Sequence, residues 1–491
     1  MLFNSPTFVI FFIVVFSLYW LLKQRSWQNL LLIGASYVFY GTWSWKFLLL
    51  LMFSTLFDYS CGRAIGATED KKRKRIFLIA SVAANLTLLG TFKYAGFFTR
   101  QAADLLNSVG LSVHPWILQI VLPVGLSFYT FQSLGYVIDV YRGKLPAVRS
   151  LPEFALYVAF FPQLVAGPIE RATHMLPQYR SDRVFSGAAL ESGLLLALWG
   201  LLKKVLIADN LAPYVNAVFR DPSQFSGLGL LTGIVFFAFQ IYCDFSGYSD
   251  CARGIARTMG FELMVNFNLP YFSRNPVEFW RRWHISLSQW FQDYLYFPLA
   301  MRYMRQGGWG SKYKAHIISF VLIGLWHGAN WTFIVFGLYW GVVIAGYLFI
   351  QERLNDLPEE SVWRGSPDGS LAAHLRTVVS TIVTLCIAWF GWLMFRADTL
   401  TQFLQITRRL FSTTGASDVA RADVMSSSWL WTMILVLGSI EWIYWRFPSL
   451  LTDALASYPR RTLLRYAMAV GVVVAYLSSE NKALPFIYFQ F

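Results

Sequence analysis

One stretch restricts what this chain can fold into more than any other. Residues 315–351 form a run of 37 residues with no acidic or basic side chain other than histidine. As a single α-helix the run would reach roughly 55 Å, against about 30 Å of bilayer hydrocarbon. It is therefore expected to be broken or doubled back, and Gly328 and Asn330 lie where a break would fall. Just before them, in Ile323-Gly324-Leu325-Trp326-His327-Gly328-Ala329-Asn330-Trp331, stands His327. An ionisable group at membrane depth is costly and marks a functional site by default. Irregular backbone at that depth survives only when buried in protein or wetted, so a break beside a histidine predicts a cavity.

The rest of the composition agrees with a membrane setting. Of 491 residues, 56% are hydrophobic, 18% aromatic and 14% charged, where soluble domains carry about 25% charged residues. Mean hydropathy is +0.47. These values define a polytopic membrane protein. The formal net charge is +14. Cytoplasmic loops enriched in Lys and Arg account for it, and so does a basic mouth that attracts an anionic substrate. Cys61, Cys243, Cys251 and Cys386 have no CxxC spacing, and read as reduced thiols rather than a zinc site or a disulfide framework. Residues 1–7 carry no basic side chain and no A-x-A site follows the apolar stretch 8–22. That segment is expected to stay as the first membrane helix.

Apolar runs fall near 3–22, 27–40, 45–62, 76–98, 116–138, 152–167, 188–207, 228–245, 315–351, 378–395, 429–445 and 463–478. They give about eleven membrane segments, some of them re-entrant or interfacial. Three basic loops, with Lys23 and Arg25, with Lys71 to Arg75, and with Arg142, Lys144 and Arg149, are each two crossings apart. They share a side, which the positive-inside rule makes cytoplasmic, and this puts the N-terminus outside. Residues 352–376, with Ser366-Pro367-Asp368-Gly369, and residues 412–428 read as polar loops. No internal repeat is visible, which counts against a transporter.

A second histidine lies in residues 273–298. Asn275 suits a helix cap, Pro276 its first position and Glu278 a capping box, and Pro298 marks an end. The expected helix carries Trp280, His284, Leu287, Phe291 and Leu295 as an apolar stripe, with Arg282, Ser286, Gln289 and Asp293 on another face. His284 reads equally as an interfacial packing residue or as a side chain turned towards a site. Asp244 and Asp250, in Tyr242-Cys243-Asp244-Phe245-Ser246-Gly247-Tyr248-Ser249-Asp250, read as site residues or as a helix-end cap or ion pair. Phe161-Pro162-Gln163-Leu164-Val165-Ala166-Gly167-Pro168 is short and bounded by proline, which suits a re-entrant piece.

No phosphate loop, H-E-x-x-H or G-x-S-x-G pattern occurs, and H-x-x-x-x-D fails because Gln289 and Thr332 follow the histidines at that spacing. An imidazole without an obvious protein nucleophile remains. It suits general-base activation of a substrate hydroxyl.

Phe279-Trp280-Arg281-Arg282-Trp283-His284-Ile285-Ser286 and Gly324-Leu325-Trp326-His327-Gly328-Ala329 together resemble the paired-histidine signature of the membrane-bound O-acyltransferases. The resemblance is to the bacterial, alginate-type branch that acetylates exopolysaccharides. Leu2-Phe3-Asn4-Ser5, Leu122-Pro123-Val124-Gly125-Leu126-Ser127-Phe128, the 161–168 and 244–250 stretches and Phe486-Ile487-Tyr488-Phe489-Gln490-Phe491 also fit it. The resemblance implies an all-α membrane bundle around a transmembrane funnel, forming one domain over 1–491. Its catalytic core would span about 116–350, with peripheral helices in 1–115 and 378–491.

It further implies His327 as general base and His284 as helper, with Asp244, Asn330, Trp326 and Trp283 as candidate neighbours. Acetyl-CoA would be the donor substrate, with no bound cofactor or metal. Acetyl groups would cross a bacterial inner membrane and reach a polysaccharide through periplasmic acetyltransferase partners. Lipids, and no nucleic acid, complete the expected partners. A thioester is already activated, so a base and a water-excluding apolar tunnel would suffice. The sequence departs from the branch after Pro298-Leu299, where Ala300-Met301 replaces the usual Gly-Gly. Acceptor specificity in the expected loop 302–314 therefore does not carry over. Two rivals stand beside this reading: the same chemistry on peptidoglycan, cellulose or teichoic acid, and a polymer or lipid-precursor transporter.

Overall fold

The computed structural model describes residues 1–112, 123–307, 310–355, 370–411 and 427–447, together with 469, 471 and 486. The apolar run 463–478 therefore lies outside the described residues apart from two positions. So do 113–122 of the 116–138 run, 356–369 of the 352–376 loop, 412–426 of the second polar stretch, and the C-terminal motif beyond Phe486. Every regular element among the described residues is helical. Five helices are long and apolar enough to cross a membrane: Trp45–Ala67, Lys71–Ser108, Gly227–Thr258, Trp331–Asn355 and Leu371–Arg396. The protein is a multi-pass membrane protein. Its backbone suits that setting, because a helix satisfies its own N–H and C=O groups.

The chain divides into two compact units. The first comprises 1–201, 247–265 and 481–490. Its helix Leu126–Tyr141 is buried on nearly every face, as expected of an apolar helix at the centre of a bundle. Trp45–Ala67 packs against it, and Arg25–Gly41 packs on Trp45–Ala67 and on Pro6–Leu21, which Ser5 caps. Lys71–Leu89, capped by Asp70, runs through a π-helical turn at Gly90–Tyr94 into Ala95–Ser108. Residues 152–167 do not cross. They form two short buried helices, Leu151–Ala159 and Phe161–Leu164. The Phe161 N–H donates to Ser36 Oγ at 3.0 Å.

One end of this unit is polar. Arg180 donates to Glu153 at 2.8 Å, Arg183 to Asn29 at 2.8 Å, Tyr59 to the Arg149 carbonyl at 2.6 Å, and Arg25 pairs with Asp182. The loops holding Arg25 and Arg149 thus meet at one end, as their charge pattern predicts. Glu170, wholly buried, accepts from the Met264 N–H at 2.6 Å and bonds His174 Nδ1 at 2.8 Å.

The second unit comprises 202–246, 266–480 and 491. Its main feature is the resolution of the overlong apolar run. Ser311–His327 and Trp331–Asn355 form an antiparallel hairpin, and the backbone breaks at Gly328 as expected. Glycines set the spacing. A Cβ at Gly337 would lie 2.9 Å from the Val321 Cα, one at Gly341 2.7 Å from the Ile317 Cα, and one at Gly324 2.9 Å from the Gly337 nitrogen. Small residues at such contacts let membrane helices approach closely.

Four expectations are corrected. Residues 273–298 are not one helix. Pro276–Arg282 ends before His284, and Ile285–Phe291 starts after it. A π-helical turn, Gln292–Tyr296, leads into Phe297–Gln306. Pro298 ends nothing, because it occupies the first turn of that last helix, where a missing N–H costs no hydrogen bond. The expected loop 302–314 is largely helical for the same reason, as Phe297–Gln306 covers its start and Ser311–His327 its end. Asp244 does not mark a helix end, since Gly227–Thr258 continues well past it.

Candidate functional site

The second unit holds His284, His327, Trp283, Trp326, Asp244 and Asn330. At the start of the broken segment, the Asn275 side chain accepts from the Glu278 N–H at 2.8 Å. The Glu278 carboxylate returns a bond to the Arg274 N–H at 2.9 Å, one residue before the expected position, and also holds Arg282 at 2.8 Å. The short helix thereby has a fixed start, and it delivers Trp283 and His284 into the interior.

His284 has φ +43°, ψ +56°, a left-handed conformation rare outside glycine. The stretch after 265 secures it. The Asn266 carbonyl accepts from the Ile285 N–H, and the Asn268 N–H donates to the Arg282 carbonyl, both at 2.9 Å. Asn266 Oδ1 accepts from the Ser286 N–H at 3.2 Å and the Ser286 hydroxyl at 2.9 Å, and lies 3.2 Å from His284 Nδ1. No sequence motif singled out Asn266. Its signal would have been its position, eighteen residues before the histidine on an irregular passage that only the tertiary fold brings close. His284 is fully buried and outside the five spanning helices, and burial pushes its pKa from the ordinary 6.5 to about 3.

His327 ends its helix and is buried. Its ring meets the edges of Phe395 at 5.0 Å and Phe336 at 5.9 Å. A Cβ at Gly328 would collide with the Phe333 ring, so glycine there lets Phe333 close over the break. Trp326 links the two histidines. Its ring centroid lies 4.7 Å from that of His327 and 6.2 Å from that of His284. The imidazoles therefore sit within the sum of those distances, around one indole. Other rings complete the wall. Phe245 meets His284 edge-on at 4.6 Å and contacts Phe267 at 5.1 Å. Phe267 contacts Trp283 at 5.0 Å, Trp283 contacts Trp392 at 4.6 Å, and Trp392 reaches Phe395 at 5.7 Å. Two imidazoles in an aromatic, water-poor enclosure suit proton transfer to and from a reacting group.

The remaining candidates divide. Trp326 and Trp283 belong to this enclosure. Asp244 is buried and forms an ion pair with Lys204, which also pairs with Asp209 at 2.9 Å. Its neighbour Phe245 touches His284, while the Asp244 carboxylate itself serves the ion-paired cluster. Lys203 donates to Ser246 at 2.9 Å, and Tyr242 donates to the buried Glu441 at 2.6 Å. Asn330 is committed to structure. Its amide donates to the Asp398 carbonyl at 2.8 Å and its Oδ1 accepts from the Thr332 N–H, which starts the second hairpin helix. Asp250, in the first unit, pairs with Arg253. Among the described residues no group of three or more metal-ligating side chains occurs.

Comparison with known proteins gives this architecture a family. The model of the membrane-bound O-acyltransferases matches residues 145–355, which include both histidines. A probable alginate O-acetylase, AlgI, of Pseudomonas aeruginosa is 38% identical over 429 residues, covering 86% of this chain and 78% of that protein. A peptidoglycan O-acetyltransferase of Helicobacter pylori is 32% identical, covering 85% and 81%. A teichoic acid D-alanyltransferase of Streptococcus thermophilus is 31% identical over 231 residues, 45% of this chain. At such identity over most of both chains, the protein belongs to the membrane-bound O-acyltransferase family, and it is an acyltransferase.

Proposed function

We propose that this protein is the membrane subunit of a bacterial polysaccharide O-acetylation system, taking acetyl from cytoplasmic acetyl-CoA and passing it across the inner membrane. The observation that carries this reading is the gathering of His284 and His327 around Trp326. The Pseudomonas relative supports an alginate-like polymer as final acceptor. The Helicobacter relative supports peptidoglycan as the second reading, with the same chemistry.

In the proposed reaction His327 takes the proton of an acceptor hydroxyl. The hydroxyl oxygen bonds to the thioester carbonyl carbon, the C–S bond breaks, and the leaving CoA thiolate takes the proton back from the imidazolium. His284, neutral and buried, orients the reacting groups without adding charge. The aromatic enclosure keeps water from hydrolysing the acyl group. The chain's basic excess suits the anionic CoA at a cytoplasmic mouth. Periplasmic acetyltransferases would complete delivery to the polymer.

The test is acetyl transfer in membranes containing the complete system and radiolabelled acetyl-CoA. A His327→Ala variant that inserts and melts like the wild type should lose labelled polymer by at least about a hundredfold. Undiminished labelling by that variant would remove His327 from the chemistry. Absence of any CoA release by the wild type with its partners present would favour a transporter instead.

A further inference from the structure

The hydrogen bonds around His284 specify where its proton sits. Asn266 Oδ1 receives the Ser286 backbone N–H at 3.2 Å. A backbone N–H can only donate, so the side-chain atom at that position must be the amide oxygen rather than its nitrogen. The same atom lies 3.2 Å from His284 Nδ1. Oxygen facing a ring nitrogen requires N–H on that nitrogen, and in a neutral imidazole the other nitrogen then carries the lone pair. Asn266 and His284 are both buried, at 1% and 0% exposure, so water does not compete for these bonds. The backbone adds a second restraint, because the bonds from Ile285 to Asn266 and from Asn268 to Arg282 hold the two passages side by side. A left-handed histidine between two helices persists when its surroundings over-determine it, and these bonds do so.

We propose that Asn266 is a positioning residue that holds His284 as the Nδ1–H tautomer and keeps its Nε2 lone pair as the hydrogen-bond acceptor of the site. An amide suits this task better than a carboxylate. Aspartate would also accept from Nδ1–H, but it would bring a second buried charge and stabilise the imidazolium. Asparagine fixes the ring without changing its charge, and the Ser286 hydroxyl, donating to the same oxygen at 2.9 Å, holds the amide in place.

The kinetic part of this inference rests on the acetyl-transfer reading; the tautomer does not. The chain has six histidines, so selective ¹⁵N-histidine labelling of the full-length protein in detergent, with His284→Gln to assign its signal, reads the ring directly. The wild type should show His284 neutral with its proton on Nδ1. Asn266→Ala should lose that preference, and Asn266→Asp should keep Nδ1 protonated while shifting the signal towards the imidazolium. In the complete acetylation system, Asn266→Ala should lower kcat by about ten- to a hundredfold while KM for acetyl-CoA stays within about twofold. A wild-type His284 protonated on Nε2 overturns the proposal even if no variant folds. So does an Asn266→Ala protein with unchanged tautomer and kcat. A wild type that shows the Nδ1–H signal yet cleaves no thioester supports Asn266 and sinks the acyl-transfer reading instead.

Discussion

At the scale of single residues, Gly328 is the most sensitive position beside His327. Its φ of −172° is ordinary extended backbone, so any residue could adopt it; what excludes a side chain is the Phe333 ring. Gly328→Ala should push that ring out of its place against Phe395, costing about 1–3 kcal/mol of stability. A thermal melt in detergent checks the stability, and a lowered kcat would follow from loosening around His327.

Two other histidines give opposite pH signatures. The Glu170 hydrogen bond raises the His174 pKa, against burial, with Glu262 adding attraction. Its stabilising contribution is complete below pH 6.5 and is lost as pH rises through its higher folded value. His284, lowered to about 3, binds fewer protons folded than unfolded, so it withdraws stability as pH falls from 6.5 towards 3. Melting temperatures across pH for His174→Asn and His284→Gln should each lose one of these slopes.

Residue identity alone made His327 legible, because a histidine in an uncharged run has few reasons to be there. Nothing similar marked Asn266 or the left-handed backbone of His284. That conformation is imposed by bonds from a passage distant in sequence, and no glycine or proline announces it.

Among the elements, the hairpin 311–355 was the most predictable, since its length demanded a break and Gly328 and Asn330 supplied one. Its glycine contacts allow a controlled comparison within one helix. A Cβ at Gly337 would meet the backbone of Phe320 and Val321, which has no soft way to yield, whereas one at Gly346 meets nothing within 4 Å. Gly337→Ala should therefore destabilise by about 1–3 kcal/mol, while Gly346→Ala should be neutral or slightly stabilising. Equal melting temperatures for the two variants would refute the close packing.

The segment 273–306 was the least predictable. Its capping signals were real, and the Asn275 bond to Glu278 forms as the residues suggest. Its continuation is not legible, because proline in a first turn and proline at an end look alike in sequence. The π-helical turn Gln292–Tyr296, which leads into the later helix, has no compositional marker. π-Helical turns of this kind recur at Gly90–Tyr94 and Lys203–Ala208, and such irregularities concentrate at functional places in helical proteins.

For the whole molecule, charge decides orientation. The polar end of the first unit, with Arg25, Arg149, Arg180 and Arg183, should face the cytoplasm if the positive-inside rule governs insertion. An exposed thiol introduced as Asp182→Cys, with Cys386 replaced, should react with an impermeant maleimide in intact spheroplasts only after permeabilisation. Labelling before permeabilisation would invert the assigned topology. Cys61, Cys243 and Cys251 are buried, so the background should be low.

The hairpin also bears on how the chain is made. Trp331–Asn355 contains the most apolar stretch of the five spanning helices, whereas Ser311–His327 is shorter and begins with Lys312, Lys314 and His316. The weaker helix is a poor substrate for insertion by itself, and the glycines that let it pack closely, Gly337 and Gly341, lie on its successor. Ribosome-bound chains ending soon after His327 should therefore leave this histidine outside the lipid, and synthesis through Asn355 should draw it in. On that view the reactive group reaches membrane depth only when the helix that will enclose it has also been translated.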